Sequence, residues 1–394
     1  MGTTEDPHTI SIARNLPLTT RTSMIALLGE YRDVFAWSYE DMKGLDPKFY
    51  QHQINLATDA KLVQQRRYRM NPNYVARVKE EIEKLLKIGF IRPVKRATWL
   101  SPIVVVPKKN GKIRLCVDYR KLNAVTFIDA FPLPFMDCVL DAVAGHEMYS
   151  FLDRFSGYNQ VSIHPDSQEK TAFVTEWGVF VVVVMMFGLK TAPRTFQRII
   201  SEVLGEYIPA FMQVFLDDFA VYGMRKDHLH HLRLCLERCR PARLSLNPAK
   251  CAFEVTSAAL LGHIVSKECI AVDPGKIEAI IKSPTPKNAK ALGQFLDQLR
   301  WHNCMLRHLA VFATSLHAAV HHAPFRWTET EDKAYGALKF MLSQASVVQP
   351  PDWTRPFHVF VDASDIAIGS ALMQHTSQLV LTRILLESEA VHCR

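Results

Sequence analysis

Two adjacent carboxylates interrupt an apolar run in Val214-Phe-Leu-Asp-Asp-Phe-Ala-Val-Tyr222. Taken alone, Asp217-Asp218 reads as the polar tip of a hairpin. Like charges side by side repel, however, and neither residue is the Gly or Asn that a two-residue turn prefers. A divalent cation relieves that repulsion. Hard ions such as Mg²⁺ take carboxylate, water and phosphate oxygens, and a pair of them about 3.5–4 Å apart clamps an in-line phosphoryl transfer. Such a site wants a third carboxylate from another strand. Ser150-Phe-Leu-Asp153 supplies a candidate where an apolar strand ends, although Asp153 by itself also reads as a helix N-cap.

The elements that must position these groups follow from hydrophobic period and turn chemistry. Asn71-Pro-Asn opens a predicted helix with Val75, Val78, Ile82, Leu85 and Leu86 at helical spacing, and Gly89 stops it. Two strands are predicted over 103–107 and 113–117, joined by a basic tip whose Asn110-Gly111 is a strong hairpin signal. Next come a strand over 148–152, a helix near 155–161, a strand over 173–184 and a helix over 192–204. The strands flanking Asp217-Asp218, a helix over 226–240 and a strand pair within 252–272 complete an α+β pattern. Residues 274–322 read as helical, and strand signals return over 357–373. Residues 1–60 carry a short helical stretch near 22–36 and read as a leader without chemistry.

At 394 residues, with 48% hydrophobic and 22% charged, the composition excludes a disordered or fibrous chain and suits two or three domains. The longest apolar stretch, Val179 to Leu189, contains a Gly and is too short to span a bilayer, so no membrane role is expected. The first residues lack a basic and apolar signal pattern, which leads to an intracellular expectation, cytoplasmic or nuclear. Eight cysteines at irregular spacing fit reduced thiols. His228, His230, His231, Cys235 and Cys239 include metal-ligand types, but their spacing matches no zinc finger. The net charge of +8 is local: seventeen Lys or Arg stand against four acidic residues between Lys61 and Lys121, and the remainder is acidic on balance. A polyanion is the partner such a segment fits.

The motifs together resemble one family. Ser150-Phe-Leu-Asp-Arg-Phe-Ser-Gly-Tyr-Asn-Gln160, Lys170-Thr-Ala-Phe-Val-Thr-Glu-Trp-Gly178, Phe187-Gly-Leu-Lys-Thr-Ala-Pro193 with Thr195-Phe-Gln197, and Phe215-Leu-Asp-Asp218 resemble, in order, the motifs of the reverse transcriptase in Pol polyproteins of gypsy-type LTR retrotransposons. Pro107-Lys-Lys-Asn-Gly-Lys-Ile-Arg-Leu-Cys-Val-Asp-Tyr-Arg-Lys-Leu-Asn123 and Phe131-Pro-Leu-Pro134 extend the likeness upstream. Leu261-Gly-His-Ile-Val-Ser266 and Val272-Asp-Pro-Gly-Lys-Ile277 extend it downstream. The resemblance implies a right-hand polymerase of fingers, palm and thumb, a mainly helical connection, and a truncated RNase H-like α/β domain. It divides the chain into a leader (1–60), fingers, palm and start of thumb (61–272), thumb and connection (273–350), and the RNase H-like part (351–394). Asp153, Asp217 and Asp218 would hold two Mg²⁺, or Mn²⁺ in their place. Lys108, Lys109 and Arg114 would meet the incoming triphosphate, and Tyr158 would sit under its sugar. The implied partners are an RNA or DNA template, a DNA or tRNA primer and dNTPs, in a cytoplasmic virus-like particle or the nucleus; no sequence feature sets an oligomeric state. Phe357-His-Val-Phe-Val-Asp-Ala-Ser364 resembles the first RNase H strand, with Asp362 as its first metal carboxylate. The sequence stops before the later acidic residues of such a nuclease, so RNA cleavage by this fragment is not expected.

Several positions depart from the family pattern. Val182, Val183 and Met186 replace an aromatic, a basic residue and a Pro; Pro241 is expected to interrupt a helix; Cys269 replaces a turn Gly; Asp297 and Trp301-His-Asn303 break later motifs; and Phe215 replaces a Tyr. Arg154 stands where a small residue is usual, and a cation there is expected to compete with metal for Asp153. These departures carry an alternative: a decayed, inactive copy that at most binds nucleic acid.

Overall fold

Asn71 accepts a hydrogen bond from the Asn73 amide at 3.0 Å, Pro72 fills the first helical turn, and Gly89 at φ +76° ends the run. This is the helix the apolar spacing predicts. The computed structural model describes residues 9–107, 113–300, 306, 309–343, 348–363, 367–375 and 381–390. Along the chain run α1 (Leu18–Glu30), β1 (Gln51–His52), α2 (Pro72–Lys87), β2 (Ile91–Pro93), β3 (Ser101–Pro107), β4 (Ile113–Val117), α3 (Arg120–Val125) and α4 (Met136–Val143). There follow β5 (Met148–Asp153), β6 (Ser162–Ile163), α5 (Pro165–Gln168), β7 (Phe173–Val174), β8 (Val179–Val182), α6 (Ala192–Leu204), β9 (Met212–Phe215), β10 (Asp218–Gly223), α7 (Arg225–Ala242) and β11 (Ala252–Val255). The rest holds β12 (Ser257–Leu260), β13 (His263–Ser266), β14 (Ile270–Val272), α8 (Pro274–Ile281), α9 (Ala289–Arg300), α10 (Leu309–His321), α11 (Glu329–Ser343), β15 (His358–Ala363), β16 (Ala367–His375) and β17 (Leu381–Ala390).

The chain divides into two compact units, Met1–Phe135 with Met148–Val255, and Met136–Glu147 with Thr256–Arg394. In the first, a four-stranded sheet of order β11-β5-β10-β9 carries the strands expected of the palm, and a five-stranded sheet of order β2-β8-β7-β3-β4 includes the hairpin expected of the fingers. Helices α6 and α7 carry apolar stripes into its core: Phe196, Ile199, Ile200 and Val203 from α6, and Leu232, Cys235, Leu236 and Cys239 from α7. The presumed leader shares this core. Met24, Leu27 and Leu28 lie at i, i+3 and i+4 on α1 and are buried with Phe35 in the same cluster as Leu236 and Phe253. Around that patch, Arg240 pairs with Asp33 at 2.7 Å and Arg233 with Glu30 at 2.8 Å. In the second unit, β12-β13-β14 form one antiparallel sheet and β15-β16-β17 another, and α8 to α11 pack around Leu292, Leu299, Leu316 and Leu338.

Some expectations change. The strand over 173–184 splits into β7 and β8, paired antiparallel around Gly178 at φ +144°. The helix near 155–161 is a single 3₁₀ turn, Gly157–Gln160, and Ser156 rather than Asp153 precedes it. Asp153 ends a strand and caps no helix. Pro241 does not interrupt a helix: it sits in the last turn of α7, which Arg243 closes in a left-handed conformation. The strand pair within 252–272 is four strands, and the first of them, β11, joins β5.

Candidate metal and nucleotide site

Antiparallel pairing sets Asp153, the last residue of β5, directly opposite Asp218, the first of β10. The hairpin partner of Asp218 is Phe215, so the turn between β9 and β10 is Leu216-Asp217 rather than the Asp-Asp pair itself. All three carboxylates therefore reach one end of the palm sheet. Leu216 turns the chain at φ +49°, a left-handed conformation that costs a branched residue about 1–2 kcal/mol. Buried Gln197 on α6 holds it there. Its Oε1 accepts from the Leu216 amide at 2.7 Å, and its Nε2 donates to the Val214 carbonyl at 3.0 Å.

Two of the carboxylates already have cationic partners. Lys250 donates to both oxygens of Asp153, at 3.2 and 3.3 Å. Arg154, expected to act on Asp153, feels that carboxylate's charge but donates its hydrogen bond through Nη2 to Asp217. The reason is strand geometry: successive residues point to opposite faces, so the side chain after Asp153 turns into the core. There its guanidinium carbon lies 3.4 Å from the Phe196 ring centroid and 5.4 Å from that of Phe219. Burial pushes the Arg154 pKa down to about 9, against the pull of Tyr158, Asp153 and Asp218.

The donors fit a hard divalent ion in kind and in position, being carboxylates from a strand end and the adjoining turn. As the side chains stand, no three His, Cys, Asp or Glu among the described residues are gathered to hold a metal.

Two of the nucleotide candidates, Arg114 and Tyr158, are linked by a residue given no role beforehand. Exposed Arg114 on β4 lies 5.5 Å from the Phe187 ring centroid. Phe187 meets Tyr158 edge to face at 4.9 Å, and Tyr158 in turn meets Phe196 at 5.7 Å. A line of aromatic contacts thus runs from Arg114 to the ring on which Arg154 rests. Tyr158 is buried, which raises its hydroxyl pKa. Lys108 and Lys109 lie outside the described residues, as does the side chain of Asp362, whose backbone pairs with Gly369. His228 and His231, of the His and Cys cluster, contact Ser150 Oγ at 2.8 Å and the Phe211 ring at 4.1 Å respectively.

Gln197, Lys250 and Phe187 were not assigned from sequence. Gln197 had a signal, a lone amide on the otherwise apolar face of Phe196, Ile199 and Ile200. Nothing in the sequence ties Lys250 to Asp153, which lies 97 residues away.

A carboxylate-bearing palm sheet, its hairpin held by a helix, beside a five-stranded fingers sheet that bears Arg114, defines a right-hand polymerase fold. Residues 106–265 match the family model "Reverse transcriptase (RNA-dependent DNA polymerase)", and residues 327–391 match "RNase H-like domain found in reverse transcriptase". The chain is 31% identical over 388 residues to the retrovirus-related Pol polyprotein from transposon opus of Drosophila melanogaster, covering 92% of this chain and 38% of that one. It is 29% identical over 372 residues to that from transposon 412 of the same organism, covering 92% and 30%. A foamy viral protease-reverse transcriptase solved in complex with an RNA/DNA hybrid superposes with a TM-score of 0.83 at 20% identity, covering 96% of this chain and 51% of that one. The chain carries a reverse transcriptase domain similar to those of retrovirus-related Pol polyproteins, with an RNase H-like segment behind it. It spans about a third of the length of these curated relatives and contains, among its described residues, no helix long and apolar enough to cross a membrane.

Proposed function

We propose that this chain is the RNA-directed DNA polymerase module of a gypsy-type LTR retrotransposon, joining dNTPs to a primer 3′-hydroxyl on an RNA or DNA template. The observation that carries the reading is the Asp153–Asp218 register pair with Asp217 in the adjoining turn, inside the matched polymerase region. Reverse transcriptases are divalent-metal-dependent as a family. In this chain Asp153, Asp217 and Asp218 would hold two Mg²⁺, or Mn²⁺, which when bound favour ionisation of the primer hydroxyl and neutralise charge on the triphosphate. Gln197 keeps Asp217 and Asp218 in fixed relation by holding the turn. Arg114 offers a planar, multidentate donor to phosphate oxygens. Tyr158, buried between Phe187 and Phe196, offers a rigid floor to the sugar and leaves little room for a 2′-hydroxyl. The basic segment from Lys61 to Lys121 suits template phosphates, and the foamy viral enzyme's RNA/DNA hybrid supports a primer–template duplex as the ligand.

Primer extension on an RNA template with Mg²⁺ tests the reading: full-length DNA product is expected from the folded protein. The decayed-copy reading is favoured by one observation, the cations on Asp217 and Asp153. It predicts duplex binding that weakens steeply with salt and no extension at all.

A further inference from the structure

Arg154 and Lys250 both face the carboxylates, yet they differ in what they can do next. The Lys250 side chain is 63% exposed and can swing into water. That of Arg154 is 1% exposed. Its guanidinium carbon lies 3.4 Å from the Phe196 ring centroid and 5.4 Å from that of Phe219, and a Cβ added at Gly157 would come within 2.7 Å of it. Its Nε and Nη1 are buried without a hydrogen-bond partner among the described residues, where Asp217 is the one carboxylate bonded to it. If Asp217 turned away to ligate an ion, the Arg154 guanidinium would lose its one hydrogen-bond acceptor among the described residues. An uncompensated buried charge is strongly unfavourable. Any ligand that recruits Asp217 must therefore overcome the Arg154 contact first.

We propose that Arg154 is a built-in counter-ion that withholds Asp217 from divalent metal, so that the carboxylate site of this chain binds metal weakly until the Arg154–Asp217 contact is broken. The inference rests on the reading of Asp153, Asp217 and Asp218 as metal carboxylates. Arg154 acts through Asp217 and occupies the space that a small residue after Asp153 would leave open. Lys250, exposed on the other carboxylate, is a weaker competitor.

The test is Mn²⁺ binding to the full 394-residue chain without nucleic acid, read by electron paramagnetic resonance of free Mn²⁺, with a thermal melt to verify folding. Arg154→Met keeps the packing and removes the charge, and Arg154→Gln serves the same purpose should the Met variant fail to fold. Either is expected to bind Mn²⁺ at least tenfold more tightly than wild type, whereas Lys250→Met changes affinity by less than about threefold. Asp217→Asn is expected to weaken binding in the Arg154→Met background far more than in wild type, because only there is Asp217 available. Equal Mn²⁺ affinity in wild type and both Arg154 variants, with Asp218→Asn abolishing binding in each, overturns the counter-ion role and leaves the metal carboxylates standing. Undetectable Mn²⁺ binding in every folded variant overturns the metal reading, and the counter-ion role with it.

Discussion

Replacing Gln197 by Met removes both hydrogen bonds that hold the Leu216-Asp217 turn while keeping side-chain length and helix propensity. The Leu216 amide loses its acceptor and the Val214 carbonyl its donor. Gln197 is buried, so water has poor access, and each stranded backbone group costs about 1–3 kcal/mol. The left-handed Leu216 backbone adds its own tendency to open. A local loss of about 2–6 kcal/mol is expected, which means roughly 30- to 20,000-fold faster amide exchange at Leu216. Hydrogen–deuterium exchange of a peptide spanning Phe211 to Asp217 reads this directly. Gln197→Glu is the control: it keeps the acceptor for Leu216 and loses the donor to Val214, so it should retain much of the Leu216 protection. Unchanged exchange at Leu216 in a folded Gln197→Met protein would refute the clamp.

Tyr158→Val opens the space between Phe187 and Phe196, and incorporation of rNTP relative to dNTP should rise about tenfold or more in single-nucleotide extension; an unchanged ratio removes Tyr158 from the sugar contact. His228, buried against Ser150, has its pKa lowered from 6.5 to about 4 by burial. The folded state then binds fewer protons than the unfolded one between those values, so its stabilisation is complete above pH 6.5 and is lost as pH falls toward 4. The loss is about 3 kcal/mol, and the slope of denaturant midpoints across that window should decrease in His228→Gln, with His52, likewise lowered to about 4 by burial, keeping part of it. Deleting residues 1–36 strips Met24, Leu27, Leu28, Tyr31, Val34 and Phe35 from the core. At about 1.5–3 kcal/mol per large apolar side chain this rivals a whole domain's stability, so circular dichroism should show no cooperative melt; a truncated protein that melts like the full chain contradicts the placement of α1.

The carboxylate strands were legible because each obeys a simple period: apolar runs flank Asp217-Asp218 and precede Asp153, and α6 follows from its apolar stripe. Their pairing was not, since nothing in β5 or β10 alone states that Asp153 faces Asp218; that came only with the family likeness. Arg154 shows the limit most clearly. Adjacency suggested Asp153 as its partner, but strand alternation sends it to the other face, and its reach to Asp217 depends on where Phe196 and Phe219 lie in three dimensions. Gly178 and the apolar spacing of Met24, Leu27 and Leu28 were available signals for the split strand and for the role of α1 in the core. The wrong turn at Asp217-Asp218 has a different cause. Gln197, distant in sequence, stabilises a Leu in a conformation that local propensity disfavours.

The most direct measurement of the polymerase assignment compares wild type with Asp218→Asn in Mg²⁺-dependent single-nucleotide incorporation, on an RNA/DNA hybrid that both proteins bind equally. Incorporation by wild type and a fall of at least about a thousandfold in the variant are expected, because one of the proposed metal carboxylates is lost while the fold and the basic segment remain. Folded wild-type protein that binds the hybrid and adds no nucleotide, or an Asp218→Asn variant as fast as wild type, would contradict it.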